Sequence, residues 1–365
     1  MNQLAILYNI NSPEKWQNCL REFLSAVKLG RISIDDIVAE IRGGDSLINP
    51  TLAEEYSSNL RKAVGNVFGR SDNRILYDAN VTKFAYYKAA QATTKIRGAK
   101  SDADGKAICQ LYNRYQAAEY NAAVARCRTA KQWMSFDENR ELFPNLRWIP
   151  SRSASPREEH RQFWNHVWAK DDEFWTINQP GNLWGCKCDW EETDDPITTR
   201  GEVNHFRPQQ GLKGNPGITH EVFSEDHSYY QSAELYDVNK FSQRVTQEKA
   251  QKINTSTKIK IDGIERDVNI NIVGIRESLS KFYPPKTYIL KNTIVQDLSK
   301  LGGHITYIGS SPIDLTHNRV GGRAYKAKKN AIKMHLSRLT LSNQSFKIYI
   351  LEYPDNKFVF YCACT

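Results

Sequence analysis

The chain has 365 residues, of which 40% are hydrophobic and 25% are charged, and this balance is typical of a folded, water-soluble protein. It contains no run of about 18 apolar residues, which argues against a membrane-spanning segment. The N-terminus lacks the basic start and apolar core of a signal peptide, and seven thinly spread cysteines argue against a disulfide framework, so we expect synthesis and first residence in a cytoplasm.

The net charge of +9 is distributed unevenly along the chain. Residues 251–365 contain 18 Lys and Arg against 8 Asp and Glu, which leaves 32 basic and 33 acidic residues for the other 250 positions. Clustered basic residues favour a polyanionic partner, because they displace the counterions of phosphate groups. The alternative at this point is a solvated basic face on an ordinary domain.

Helix signals dominate the first 140 residues. A first helix follows Ser12-Pro13 and stops at Gly30, and a second has a capping-box start at Ser33 and Asp36 and ends at Gly43-Gly44. A third follows Asn49-Pro50, a fourth spans about 78–97, and a fifth spans about 106–136. Apolar residues of the fifth helix from Leu111 and Tyr115 to Ala130 fall near one stripe, which suggests close helix–helix packing.

From Phe143-Pro144 to about Tyr230 the pattern becomes irregular, with turn residues and aromatic residues interleaved. Six of the eight tryptophans lie in the first part of this segment, from Trp148 to Trp190. A segment with few regular elements must bury large rings to form a core, so we expect aromatic packing here.

The last part of the chain predicts a mixed domain behind a helix and a polar linker that ends near Thr257. The predicted strands are about 258–262, 268–273, 287–293, 304–309, 346–352 and 357–364, and the predicted helices are around 294–301 and 320–338. Asp355-Asn356 lies between two alternating apolar runs and predicts a hairpin turn. The chain is therefore expected to be an α+β multi-domain protein with a mainly antiparallel C-terminal sheet.

Several blocks of the middle segment occur in an order that resembles a known family. They are "YNRYQAAEYNAAVARCRTAKQW", "LFPNLRWIPSRSASPREEH", "DDEFW", "QPGNLWGCKCDW" and "GNPG" followed by "VFSEDHSYY". Together they resemble the phage Mu protein F family of minor head, or head morphogenesis, proteins over about residues 80–230. The resemblance implies a structural role near the portal, in the virion and in the host cytoplasm during assembly and after delivery. The portal and other head proteins would be its partners.

This resemblance suggests four parts for the chain. Residues 1–75 would form a helical N-terminal arm, and 76–235 the loop- and Trp-rich Mu F-like head module. Residues 236–257 would be a helix and linker, and 258–365 a basic α+β domain.

"NLWGCKCDW" places Cys186 and Cys188 two residues apart. In an extended strand both side chains would point to one face, as a zinc site requires. The resemblance places His160 as a third ligand, and a fourth could come from Asp171, Asp172, His166 or His227. Zinc sites usually space their cysteines by two to four residues, so two reduced buried thiols or a redox pair stay open as alternatives.

Proteins of this family often carry a further domain, frequently a toxin or nuclease, and the element order of 258–365 distantly resembles the barnase, EndoU and RelE nucleases. A metal-independent ribonuclease needs an acid, a base and cations for the phosphate. His304 and His335 are the acid–base candidates, Arg319, Arg323 and Lys326 the phosphate clamp, and Tyr325 a residue that could orient it. The alternatives are a non-catalytic basic domain that binds DNA or a capsid partner, and another effector chemistry. A toxin would also imply an immunity protein as partner.

Overall fold

A computed structural model describes residues 33–201, 206–231, 235–251, 253–280, 285–341 and 344–364. The helix predicted after Ser12-Pro13 lies outside these residues. The chain divides into two compact units. The first comprises residues up to 69 together with 81–233, and the second comprises 70–80 and 234–365. The predicted α+β class is confirmed, whereas the four-part division of the chain stays a prediction.

The predicted helices among the described residues of the first 140 positions are all present. They are α1 Ile34–Gly43, α2 Pro50–Phe68, α3 Arg74–Arg97 and α4 Asp102–Glu138. Ser33 and Asp36 form a reciprocal capping box at the start of α1, and the Asn49 side chain caps α2 just before Pro50. These ends were predictable because capping depends on residue types at fixed local spacing.

The apolar stripe predicted on the long helix α4 is only partly buried. Ala122 and Ala130 are buried, but Leu111 and Tyr115 are 37% and 45% exposed. The expectation of close packing along the whole stripe is therefore wrong for its first part. The buried side of α4 is instead partly polar: the Glu119 carboxylate accepts hydrogen bonds from Lys88 Nζ at 2.6 Å and from the Tyr229 hydroxyl at 2.8 Å.

The irregular segment of the first unit is built on a small antiparallel sheet. Strand β1 (Asn145–Ile149) lies between β2 (Val167–Ala169) and β3 (Asp189–Thr193). Single helical turns connect the strands and the loops that follow them: Glu158–Phe163, α5 Phe174–Ile177, α6 Pro216–Thr219 and Ser228–Gln231. As expected, aromatic rings form its core, which comprises Phe136, Leu146, Trp148, Phe163, Trp168, Phe174, Trp175 and Trp190.

The second unit contains one six-stranded sheet in the order β4-β5-β9-β8-β7-β6. Its strands are β4 Asn254–Ile261, β5 Ile264–Asn271, β6 Ile305–Pro312, β7 Lys333–Leu341, β8 Gln344–Tyr353 and β9 Lys357–Cys364. Its helices are α7 Leu235–Ala250, α8 Ile272–Ser280, α9 Pro285–Asp297 and α10 Arg323–Lys328. Within the described part of this unit, β5 and β9 form the single parallel pair, so the expected mainly antiparallel sheet is confirmed.

Two predicted elements of this unit are wrong. Residues 287–293 were expected to form a strand but lie within α9, and the long helix expected over 320–338 is limited to α10. Residues 333–341 form β7 instead, with alternating burial that places His335, Ser337 and Leu339 on one face. The hairpin turn was predicted correctly, since Asp355 and Asn356 both have positive φ between β8 and β9.

The two faces of this sheet pack against different parts of the unit. One face forms the main core, with Leu339, Ile348 and Ile350 among its buried residues. The opposite face carries a smaller cluster of Leu351, Tyr361 and Cys362, and residues between β6 and β7, such as Ala327, pack against that cluster. The segment between β6 and β7 therefore lies on the face opposite the main core.

Candidate functional site

Three ligand-type side chains of the first unit converge on one point. The Nδ1 atom of His160 lies 3.3 Å from the sulfur of Cys186 and 3.6 Å from that of Cys188. All three potential ligand atoms lie within 4.8 Å of one another. The predicted convergence of these residues is confirmed.

The separations fit a shared metal ion. Zinc bonds of about 2.0 Å to nitrogen and 2.3 Å to sulfur, set at tetrahedral angles, place the nitrogen about 3.5 Å from each sulfur. The observed nitrogen–sulfur distances are close to this value. The cluster can therefore hold a metal ion, with two sulfurs and one imidazole nitrogen as its ligands.

A buried amide orients the imidazole of His160. Its Nε2 atom lies 2.9 Å from Oδ1 of Asn182, and both residues are fully buried. An amide oxygen only accepts, so Nε2 carries the proton and Nδ1 directs its lone pair at the sulfurs. Metal-binding histidines are commonly held by such a hydrogen bond on the second ring nitrogen. The Trp148 ring packs edge-on against the imidazole at 5.1 Å.

The two thiols have different proton affinities. A hydrogen bond from Cys186 lowers the pKa of Cys188 to about 5, against the effect of burial. The pKa of Cys186 is raised because its proton is held by Cys188 and because it is buried. One sulfur is thus stabilised as a thiolate, the form that binds a metal.

The strand geometry expected for the two cysteines is wrong, although their convergence is confirmed. Strand β3 begins at Asp189, and Cys186 and Cys188 precede it in a loop. The loop follows a turn at Gly185, whose φ of 76° suits glycine. The backbone N–H of Cys188 then donates to the sulfur of Cys186 at 3.4 Å, which holds both sulfurs on one side.

None of the four residues expected to supply a fourth ligand joins the cluster. His166 hydrogen bonds through Nδ1 to the hydroxyl of Thr199. The Asp172 carboxylate accepts the backbone N–H groups of Phe174 and Gly201, and Asp171 is exposed. The ring of His227 packs against Phe84, Trp184 and Tyr229. Within the described residues the cluster has three members.

The structure separates the two histidines expected to act as acid and base in the second unit. His304 is exposed just before β6 and pairs with Asp72, whereas His335 is buried in β7 with its Nε2 atom 2.8 Å from the Glu352 carboxylate. Since Ile305 is opposite Leu339, the register places His304 beside Thr340, five residues from His335. At the usual rise of a strand this is about 16 Å. The two side chains do not form an acid–base pair around one phosphate.

The predicted phosphate clamp also lies apart from His335. Arg319, Arg323 and Lys326 are exposed in the segment between β6 and β7, and Tyr325 is half-buried beside them. That segment packs on the sheet face opposite the main core, whereas the His335 ring lies near Phe358 on the core face. Arg323 and Lys326 do share the outer side of α10, as their spacing predicts.

Two partners of the predicted site residues were missed from the sequence. Asn182 orients His160 from 22 residues away, and no local pattern marks it. Glu352, the partner of His335, does leave a signal, because it continues the buried alternation of Ile348 and Ile350 with a charged residue. A carboxylate in register with core positions of a strand indicates a buried polar contact.

No helix of the described residues is long and apolar enough to cross a membrane. Among known proteins, no family model, no curated protein and no solved structure matches this chain.

Proposed function

We propose that this chain is a minor head protein of the phage Mu protein F type, with a structural zinc ion at Cys186, Cys188 and His160. It would act in the virion near the portal and in the host cytoplasm during assembly and after delivery, with the portal and other head proteins as partners. The observation that carries the proposal is that the blocks of the sequence resemblance are joined in one compact unit by specific buried contacts.

Arg126 provides the clearest of these contacts. It belongs to the block "AVARCRTA" and is fully buried in α4. Its guanidinium donates hydrogen bonds to five backbone carbonyls, those of Leu212, Lys213, Gly214, Glu221 and Val222. The block around "GNPG" is therefore tied to the long helix more than 80 residues earlier.

The other blocks are linked in the same way. The hydroxyl of Thr129 in α4 donates a hydrogen bond to the carbonyl of Pro180. The side-chain amide of Gln179 donates one to the carbonyl of Gly214. The metal-ligand cluster joins His160 to "GCKC". A segment this poor in regular secondary structure gains rigidity from a bound metal, which is why zinc is assigned a structural rather than a catalytic role.

The test is the protein content of virus particles. Purified virions or procapsids of the phage or prophage that encodes this chain are expected to contain it in a few copies, as mass spectrometry can measure. The major capsid protein in the same sample serves as the internal reference. Persistent absence of the chain from both particle types would contradict the proposed role.

For the second unit, the proposal is a basic domain that binds nucleic acid. The positive excess of residues 251–365 supports it, because the rest of the chain is close to neutral. Delivery of a bound nucleic acid, or attachment to it inside the particle, would then be the task of this unit.

A ribonuclease toxin with a partner immunity protein is a second candidate for this unit. It is favoured by His335, whose Nε2 atom faces Glu352 while its buried Nδ1 atom has no partner among the described residues. If His335 acts as an acid or base, exchange for Asn should reduce RNA cleavage by the full chain by about 100-fold or more. Cleavage by the His335→Asn protein at the wild-type rate, or none by the wild type, would exclude this candidate.

A further inference from the structure

Residues 313–333, which we call the basic segment, comprise the connection from β6 to β7 and the first residue of β7 in the second unit. The segment contains six Lys and Arg residues and a single acidic residue, Asp314. It thereby holds half of the positive excess of the last 115 residues within about a fifth of their length. The charge asymmetry of the chain is concentrated here.

Most of these basic side chains are exposed and have no partner. Among the described residues, no salt bridge or side-chain hydrogen bond involves Arg319, Arg323, Lys326, Lys329 or Lys333. Some basic residues elsewhere in the unit are paired instead. Lys258, for example, lies 2.9 Å from the Glu265 carboxylate. Charges left unpaired by the fold remain available to an external anion.

The backbone beneath these charges is held in place by packing. Ala327 and Ala331 pack against the cluster that contains Leu351 and Tyr361, and the Tyr353 hydroxyl donates to the carbonyl of Ala327. Arg323 and Lys326 are exposed on α10, and the exposed Lys329 follows three residues later, so the three basic residues recur at i, i+3 spacing. Their Cβ atoms form a row with a spacing of about 5–6 Å on a fixed support.

We propose that the basic segment binds the phosphate backbone of double-stranded DNA, with the row of Arg323, Lys326 and Lys329 at its centre. The inference rests on the proposed nucleic-acid role of the second unit and gives that role a surface. A duplex fits better than a single strand, since single-strand binding depends on exposed rings that stack on bases. The only aromatic residue of the segment is the half-buried Tyr325. Contacts to phosphates alone are independent of sequence.

The experiment measures the affinity of the full chain for a labelled 30-base-pair duplex of mixed sequence over a series of salt concentrations. The test variant combines Arg323→Gln, Lys326→Gln and Lys329→Gln. The control variant combines Lys260→Gln, Lys347→Gln and Lys357→Gln, which removes the same charge from exposed positions of the same unit that also have no partner among the described residues. Thermal melting checks that both variants fold.

The test variant is expected to bind at least about 10-fold more weakly near 0.1 M salt and to lose about 2–3 units of the slope of log K against log salt. The control should change affinity by less than about 3-fold. Equal losses in both variants, or no loss in the test variant, would overturn the assignment of the surface. Tighter binding of a 30-nucleotide single strand would overturn the choice of duplex. If the wild type binds no nucleic acid even at low salt, the proposed role of the second unit fails as well.

Discussion

Exchange of Cys186 for Ser is expected to abolish zinc binding and to lower the melting temperature of the first unit by about 10 °C or more. Structural zinc sites contribute on the order of 10 kcal/mol of binding free energy to the folded state. In a unit of this size, even 4 kcal/mol of lost stability shifts the melting temperature by about 8–16 °C. His160→Ala should have a similar effect, because it removes the only nitrogen ligand in the cluster.

The measurement combines metal analysis of protein purified without chelator with thermal melting before and after addition of a chelator. One zinc ion per chain is expected for the wild type and none for Cys186→Ser. Cys364→Ser is the matched control, because it removes a partly exposed thiol of the second unit that belongs to no ligand cluster among the described residues. Two buried reduced thiols, the main alternative, would leave the melting temperature unchanged by the chelator.

Exchange of Arg126 for Met is expected to destabilise the first unit by about 4 kcal/mol. The change leaves five carbonyls without the donor that satisfies them, two of them in fully buried contacts, and removal of one member of a buried charged network typically costs about 3–5 kcal/mol. Burial lowers the pKa of Arg126 only to about 10, so the guanidinium still carries its charge at neutral pH. The loss of stability in Arg126→Met should therefore be the same at every pH of the physiological range.

Urea unfolding followed by tryptophan fluorescence measures this change, since most of the tryptophans belong to the first unit. Arg114→Met is the control, because Arg114 lies on the same helix, is exposed and has no side-chain partner among the described residues. We expect it to alter the free energy of unfolding by less than about 0.5 kcal/mol. A loss below about 1 kcal/mol for Arg126→Met would mean that the loop does not depend on this side chain.

The parts of the fold that local chemistry determines were predictable. The start of α1 depends on Ser33 and Asp36, that of α2 on Asn49 and Pro50, and the last hairpin on Asp355-Asn356. Each of these signals acts over a few residues and does not need the rest of the chain. The observed boundaries of these elements therefore agree closely with those predicted from the sequence.

The errors arose where local pattern and tertiary packing disagree. The run "KTYILKNTI" is rich in β-branched and aromatic residues, yet Pro285 can start a helix and the run lies in α9. The stretch "KMHLSRLTL" follows a basic helical pattern, but its alternation fits a strand between β6 and β8. Short apolar runs fit both the helical repeat of about 3.6 residues and the strand repeat of about two residues, and only pairing with neighbouring strands decides between them.

The candidate sites show the same limit. Cys186 and Cys188 were found from their spacing, but His160 was added only through the resemblance, because contacts over 26 residues leave no periodic trace. The two-histidine proposal failed for a related reason. His304 and His335 have suitable chemistry, but strand register alone places them about 16 Å apart.

The metal centre is tested most directly by zinc X-ray absorption spectroscopy on protein purified without chelator. The expected result is two sulfur neighbours at about 2.3 Å and at least one nitrogen neighbour at about 2.0–2.1 Å, with the sulfur signal lost in the Cys186→Ser, Cys188→Ser double variant. Protein without zinc, or zinc surrounded only by nitrogen and oxygen, would contradict it.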